Sequence, residues 1–234
     1  MHPILYDLIA VSYRRFIIKR SLNHFAHHCF LPDSQILHAG CGSGEVDADI
    51  RRDFDISALD FSVPALSIYR KHHGDGARLL HGSIFDIPVS AGTYQGIYNL
   101  GVMEHFTEEE IKRILNEFHR VLKPDGKILL FWPPVFGLSV RFLAAVHWIL
   151  RRRSKKKIKL HPEEVTHVRS RKQVEKYLTD SGFAMETFYF GIRDLFTYAV
   201  IEARRTEPAP EPSGIPREGQ KGPARLAMER SGPR

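Results

Sequence analysis

The sequence predicts an α/β fold: a seven-stranded, mostly parallel sheet with helices on both faces and an antiparallel hairpin at its C-terminal end. Three observations carry this. Short apolar runs alternate with helix-period segments from residue 35 onward, a spacing that demands parallel strands joined by crossovers. A glycine turn, Ala39-Gly40-Cys41-Gly42-Ser43-Gly44, follows the first of those runs directly. The last two apolar runs are separated only by a turn near Gly191–Asp194, too short for anything but an antiparallel pair.

Each element follows from pattern. Residues 1–30 read as one or two helices, an N-terminal helical lid. Strands are expected at Gln35–His38, Ile56–Leu59, Ala77–His81, Gln95–Leu100, Lys127–Trp132, Phe183–Phe190 and Phe196–Glu202. Pro64 opens a helix that runs towards His72, since proline suits a first helical turn. Glu108–Leu122 places Ile111, Ile114, Leu115, Phe118, Val121 and Leu122 at helical spacing, and Lys123-Pro124-Asp125-Gly126 stops it. Ser170–Ser181 forms a further helix, closed by Gly182. The expected organisation is therefore a lid at 1–30, a catalytic-type domain at 31–204 with an apolar and basic insert at 135–169, and a proline-rich disordered tail at 205–234.

Composition bounds the function. A chain of 234 residues, 43% hydrophobic and 26% charged, can bury one sizeable core. Its two cysteines, Cys29 and Cys41, make a disulfide framework unexpected and suit a reducing, cytoplasmic compartment. A net charge of +7 suits an anionic partner, nucleic acid or lipid surface. The segment Ile4–Leu22 is apolar, but Asp7, Arg14, Arg15, Lys19 and Arg20 interrupt it, so neither a signal peptide nor a membrane span is expected there.

The chemistry is expected at the glycine turn. Strand, turn, then helix would bring backbone N–H groups beside a ligand, with Gly40, Gly42 and Gly44 removing the side chains that block the approach. Asp60, at the end of the second strand, is placed to accept both hydroxyl hydrogens of a ribose. A dinucleotide site wants a small residue where this chain has Glu45, whose carboxylate would repel a pyrophosphate. No G-K-[ST] follows, which excludes a P-loop. A cationic sulfonium cofactor fits the G-x-G-x-G spacing better.

These residues carry a family resemblance. Ile36–Gly44 resembles motif I of the class I methyltransferases, whose fold is Rossmann-like, and Ala58-Leu59-Asp60-Phe61-Ser62 resembles their ribose-binding motif. Gly82-Ser83-Ile84-Phe85-Asp86-Ile87-Pro88 is similar to the segment that holds adenine, Asn99–Phe106 to the segment after the fourth strand, and Arg120–Gly126 to the turn before the fifth. The subgroup resembled is that of the small-molecule enzymes of ubiquinone and menaquinone biosynthesis. The resemblance implies S-adenosylmethionine as cofactor, with His38, Gly40, Gly42, Gly44, Asp60, Phe61, Asp86 and Asn99 as its binding residues, Asp86 on the exocyclic amine. His38 departs from the pattern, which has Asp or Glu there to hold the methionine amino group. Weaker or pH-dependent cofactor affinity is expected from it, with Glu45 as a compensating acid.

Methyl transfer asks the protein chiefly to align donor and acceptor, because the sulfonium is already a good leaving group. For a hydroxyl acceptor His105 is the candidate general base, with Glu104 to orient it; packing or capping at a helix start is the competing role for the histidine. Base methylation of nucleic acid is not the expected activity. The place after the fourth strand reads Asn99-Leu100-Gly101-Val102 rather than [DN]-P-P-[FY], and neither cysteine stands where a pyrimidine-attacking nucleophile would. The insert Val135–Leu150, apolar and followed by Arg151-Arg152-Arg153-Ser154-Lys155-Lys156-Lys157, instead reads as an interfacial helix on an anionic leaflet or as a lid. His24, His27, His28 and Cys29 include i, i+4 metal-type spacing without a carboxylate, so no metal is expected. The favoured acceptor is a small hydrophobic or lipid-linked molecule. A soluble metabolite or RNA is the alternative, as is a cofactor-binding scaffold without catalysis.

Overall fold

In the computed structural model, residues 14–137 and 165–206 are described. A π-helical turn, Arg14–Ile18, runs into helix α1, Lys19–Cys29. Then come β1 (Gln35–Ala39), β2 (Asp55–Asp60), α2 (Val63–His73), β3 (Arg78–His81) and β4 (Tyr94–Leu100). They are followed by α3 (Glu108–Val121), β5 (Leu122–Trp132), α4 (Arg171–Asp180), β6 (Phe183–Tyr189) and β7 (Ala199–Arg205). The seven strands form one sheet in the order β3-β2-β1-β4-β5-β7-β6. The first five are parallel, and β7 runs antiparallel between β5 and β6.

Strand alternation divides the core between two faces. Leu37, Ala39, Leu59, Ile97, Ile128, Leu130, Trp132 and Ile201 pack against Ile111, Ile114, Leu115 and Phe118 of α3 and Val174 and Leu178 of α4. On the opposite face Ile36, Ile56, Tyr98, Leu129, Phe131 and Val200 meet Leu22, Phe25, Ala26 and Phe30 at α1. There α2 adds Leu66 and Tyr69 over Ala58. Helix starts are set by side chains. Ser62 accepts the Ala65 N–H with Pro64 in the first turn, Thr107 and Glu110 form a reciprocal capping box, and Ser170 caps α4.

Four expectations are corrected. No α-helix follows the glycine turn; two 3₁₀ turns, Glu45–Ala48 and Ile50–Arg52, fill the crossover. The stretch holds Asp47, Asp49 and Asp53, weak helix formers, and Asp47 turns its side chain into the core, which a surface helix would forbid. Strand β5 begins at Leu122 rather than Lys127, although its regular register with β4 starts only at Gly96↔Lys127. Strand β7 begins at Ala199, three residues after Phe196. The buried Asp194 accepts the Tyr198 N–H at 2.8 Å and Thr197 Oγ1 donates to its carbonyl at 2.7 Å, while Leu195 and Phe196 are left-handed. Finally Arg205, assigned to the tail, ends β7, and the Thr206 N–H donates to the Gly182 carbonyl at 2.8 Å. The apolar and basic insert beyond Gly137, residues 1–13 and the tail beyond Thr206 lie outside the described residues. Among the described residues no helix is long and apolar enough to cross a membrane.

Candidate cofactor and acceptor site

The sheet order reverses direction between β1 and β4, the place where open α/β sheets hold ligands beyond the C-terminal strand ends. The glycine turn sits there. Gly40, Gly42 and Gly44 all have positive φ. At Gly40 a Cβ would meet Val102 Cγ2 at 2.8 Å, and at Gly44 it would overlap the Tyr69 ring, so both positions are sterically reserved for glycine. Around Gly42 there is open space within 4 Å, and this is the point at which a ligand can approach the backbone.

Four of the turn's N–H groups are spent inside the fold rather than held for a ligand. Those of Gly40 and Cys41 donate to the Leu59 carbonyl at 2.9 Å, and that of Gly44 to the Cys41 carbonyl at 3.0 Å. The Gly42 N–H donates to Asp60 Oδ2 at 2.8 Å. Asp60 Oδ1 accepts the Ser62 N–H at 2.9 Å. The carboxylate is thus fixed by one backbone bond on each oxygen, and each oxygen keeps a lone pair for a further donor. Two vicinal hydroxyls are such donors. Phe61 next to it exposes 81% of its surface, a free aromatic face at the rim.

The turn is held from behind as well. His72 Nδ1 and His73 Nε2, at the end of α2, bond the carbonyls of Ser43 and Gly44 at 3.0 and 2.7 Å. Asn99 is fully buried and donates to the Ala39 carbonyl at 2.7 Å, tying β4 to the start of the turn. Asp86 is exposed on the loop after β3. That loop is fastened to α3 through Arg120, which donates to the Ile87 and Val89 carbonyls and forks onto Glu117. Glu117 in turn accepts the Ile87 N–H at 2.7 Å. Burial raises the Glu117 carboxyl, but Arg120 and the Ile87 N–H outweigh it and hold the group below its ordinary range.

His38 lies under the turn. It is 2% exposed, its Nδ1 donates to Asp47 Oδ2 at 2.8 Å, and its ring stacks on Tyr98 with centroids 4.2 Å apart. Sequence reasoning named Glu45 as its compensating acid. The partner is Asp47, and the only sequence signal was an aspartate at 3₁₀ or helical distance from Gly44. Tyr69 donates to the same carboxylate oxygen at 2.7 Å.

His105 closes the 3₁₀ turn Met103–His105 that follows β4. The chain returning from the insert lies beside it: the N–H groups of Val165 and Thr166 donate to the Glu104 carbonyl at 2.7 and 3.0 Å. Trp132 Nε1 donates to the Thr166 carbonyl at 3.1 Å. An open cleft lies between Thr107, Glu108 and the segment Val165–Arg169. Sequence reasoning missed this return segment, because its approach to Glu104 depends on a bridge between Pro134 and Val168. The structure therefore brings His38, Gly40, Gly42, Gly44, Asp60, Phe61 and Asn99 to adjoining strand ends, with Asp86 on the next loop and His105 after β4. His28, from the histidine cluster, pairs with Glu202 at 3.2 Å.

Residues 36–126 match the family model of a methyltransferase domain. The chain is 30% identical over 129 residues to the demethylmenaquinone methyltransferase of Symbiobacterium thermophilum, covering 51% of this chain and 51% of that protein. It thus spans about half the length of the curated relatives it matches first. Among solved structures, an S-adenosylmethionine-dependent methyltransferase of Methanosarcina mazei superposes with a TM-score of 0.61 at 18% identity, over 78% of this chain and 97% of that one. The 1,6-didemethyltoxoflavin-N1-methyltransferase of Burkholderia thailandensis, solved with its substrate and S-adenosylhomocysteine, gives 0.63 at 17% identity over 86% and 84%. At such identities the structural likeness speaks for the fold.

Proposed function

We propose that the chain is a class I S-adenosylmethionine-dependent methyltransferase and that it transfers the methyl group of S-adenosylmethionine to a small hydrophobic or lipid-linked acceptor. The observation that carries the cofactor assignment is Asp60, held by two backbone N–H groups with one lone pair left on each oxygen, beside the open face at Gly42. Asp60 would take the ribose hydroxyls, Phe61 the adenine face and Asp86 its exocyclic amine, with the methionine end across β1 towards β4. The bound cofactor supplies an activated methyl on a cationic sulfur. The protein's part is to align an acceptor with it, exclude water and remove a proton where the acceptor needs it.

His105 is the group proposed to take that proton from a hydroxyl acceptor. It stands in the 3₁₀ turn that follows β4, next to Glu104, whose carbonyl takes the N–H groups of Val165 and Thr166. The hydrophobic character of the acceptor is supported by the similarity to an enzyme named for demethylmenaquinone and by the apolar composition of the insert. Its basic run, Arg151–Lys157, is proposed to meet an anionic leaflet from the cytoplasmic side, presenting the site to a membrane-dissolved acceptor.

Two experiments test the reading. Asp60→Ala should weaken S-adenosylmethionine binding by about 2–3 kcal/mol in titration calorimetry, the loss of charge-assisted hydrogen bonds; unchanged affinity removes the ribose assignment. Labelled S-adenosylmethionine incubated with fractionated cell extract should place label in the lipid fraction. Label confined to the aqueous or RNA fraction would reassign the acceptor, and binding without any transfer would make the chain a scaffold.

A further inference from the structure

We propose that Asp47 is the carboxylate that balances the cationic amino-acid end of the cofactor, with His38 as its positioning residue; this rests on the S-adenosylmethionine reading above. Asp47 is fully buried, and its charge must be met from within the protein. One oxygen, Oδ2, takes both the His38 Nδ1–H and the Tyr69 hydroxyl. The other, Oδ1, is buried and has no donor at full hydrogen-bond geometry, with the Tyr98 phenol as the neighbouring group that acts on the carboxylate. A carboxylate buried this completely is costly unless a positive charge comes close.

The surroundings supply little such charge. Arg51 reaches the Tyr69 hydroxyl at 3.2 Å and the Ile56 carbonyl at 3.3 Å, and forms no ion pair with Asp47. Burial chiefly, and the Asp47 carboxylate next, push the Tyr69 and Tyr98 phenols upward, so both remain neutral donors. Cys41 is likewise pushed up, by burial first and then by Asp60 and Asp47. His73, across Tyr69, has its basicity lowered by burial.

Placement supplies the rest. With Asp60 on β2 as the ribose acceptor, a cofactor lying along the strand ends extends over β1 towards β4. His38 is on β1, stacked on Tyr98 of β4, and the Asp47 N–H donates to the Gly44 carbonyl at 3.0 Å. The Asp47–His38 pair therefore lies beneath the turn, with His38 on β1 between β2 and β4. The hydrogen bond to Asp47 keeps a proton on Nδ1 and fixes the orientation of the ring.

The test compares two ligands that share the nucleoside and sulfur: S-adenosylhomocysteine, with the amino-acid end, and methylthioadenosine, without it. In titration calorimetry Asp47→Asn should weaken S-adenosylhomocysteine roughly tenfold or more while leaving methylthioadenosine within about twofold. Equal losses for both ligands would mean that Asp47 only shapes the turn, and no loss for either would remove it from the site; both results overturn the proposal. Should Asp47→Asn fail to fold, the exchanged pair His38→Asp with Asp47→His keeps a carboxylate and an imidazole in the core. It should bind S-adenosylhomocysteine within about threefold of wild type, and a selective loss of that ligand overturns the proposal. Asp60→Ala separates the two readings, because it should weaken both ligands together. Wild-type protein that binds neither ligand defeats the cofactor reading and this one with it, whereas a wild type that binds both leaves Asp47 to be judged alone.

Discussion

The two halves of the site are built in opposite ways. On the proposed cofactor side, residues between Leu37 and His73 fix one another largely within a stretch of β1, turn, β2 and α2, with Tyr98 and Asn99 of β4 as outside supports. Asp60 holds Gly42, Leu59 holds Gly40 and Cys41, and His72 and His73 hold Ser43 and Gly44. On the acceptor side, a 3₁₀ turn after β4 meets a segment more than fifty residues later in the sequence, joined by backbone bonds to Glu104 and a bridge from Pro134 to Val168. A half made of near neighbours can be kept rigid by short motifs. On the proposed assignment, a half made of distant segments has more room to vary its acceptor, although Val102, Asn99 and Tyr98 join it to the turn.

The largest expected effect breaks the acceptor half alone. His105→Ala should lower turnover on a hydroxyl acceptor by roughly 10²–10⁴-fold, with cofactor affinity unchanged. Near-normal turnover would show that alignment suffices, and lost cofactor binding would move His105 to the other half. Next, Gly44→Ala should break the cofactor half by overlap with the Tyr69 ring at a left-handed position. A loss of about 3 kcal/mol in urea unfolding is expected, combining overpacking with backbone strain. Unfolding like that of wild type would mean that α2 can shift away from the turn.

What was legible in the sequence follows the same division. The Asp60 position, the glycine turn and five of the strands could be read because each depends on residues within about twenty positions. The helix expected after Gly44 could not, since the outward look of Asp47 in the sequence is reversed by a partner, His38, and by Tyr69 from another element. The start of β7 departs from the sequence pattern for a like reason: Phe196 and Thr197 have strand composition, but the Asp194 carboxylate withdraws the Tyr198 N–H from the ladder. The return of Val165 and Thr166 to Glu104 has no local signature at all.

Smaller effects sharpen the contrast. Arg120→Ala frees the loop carrying Asp86 from α3 and should cost about 1–3 kcal/mol, by unpairing Glu117 and two carbonyls. Glu117 has a lowered folded-state pKa, so its contribution is present above the ordinary glutamate range and lost as pH falls through the folded value. The Arg120→Ala defect should therefore shrink on acidification, and a pH-independent defect would mean that the loop's carbonyl bonds alone matter. Smallest is Asp194, whose carboxyl burial pushes upward. The folded state then holds that proton longer than the unfolded one, so stability falls as pH rises from the ordinary aspartate range through the raised value. Asp194→Asn should flatten this slope in thermal melts from pH 4 to 7, and an unchanged slope would assign it to other groups.

The place of β7 has a consequence for synthesis on the ribosome. This strand lies between β5 and β6, yet it is made after both. Until Ala199–Arg205 has cleared the exit tunnel, the apolar edge from Ile128 to Trp132 has no partner, and β6 has nothing to attach to. The nascent chain therefore carries an open parallel sheet with a bare edge for the time needed to translate some seventy residues, on the order of several seconds. Such an edge invites pairing with another chain, so the step most exposed to chaperone binding is the last one, when β7 slides between two elements already made.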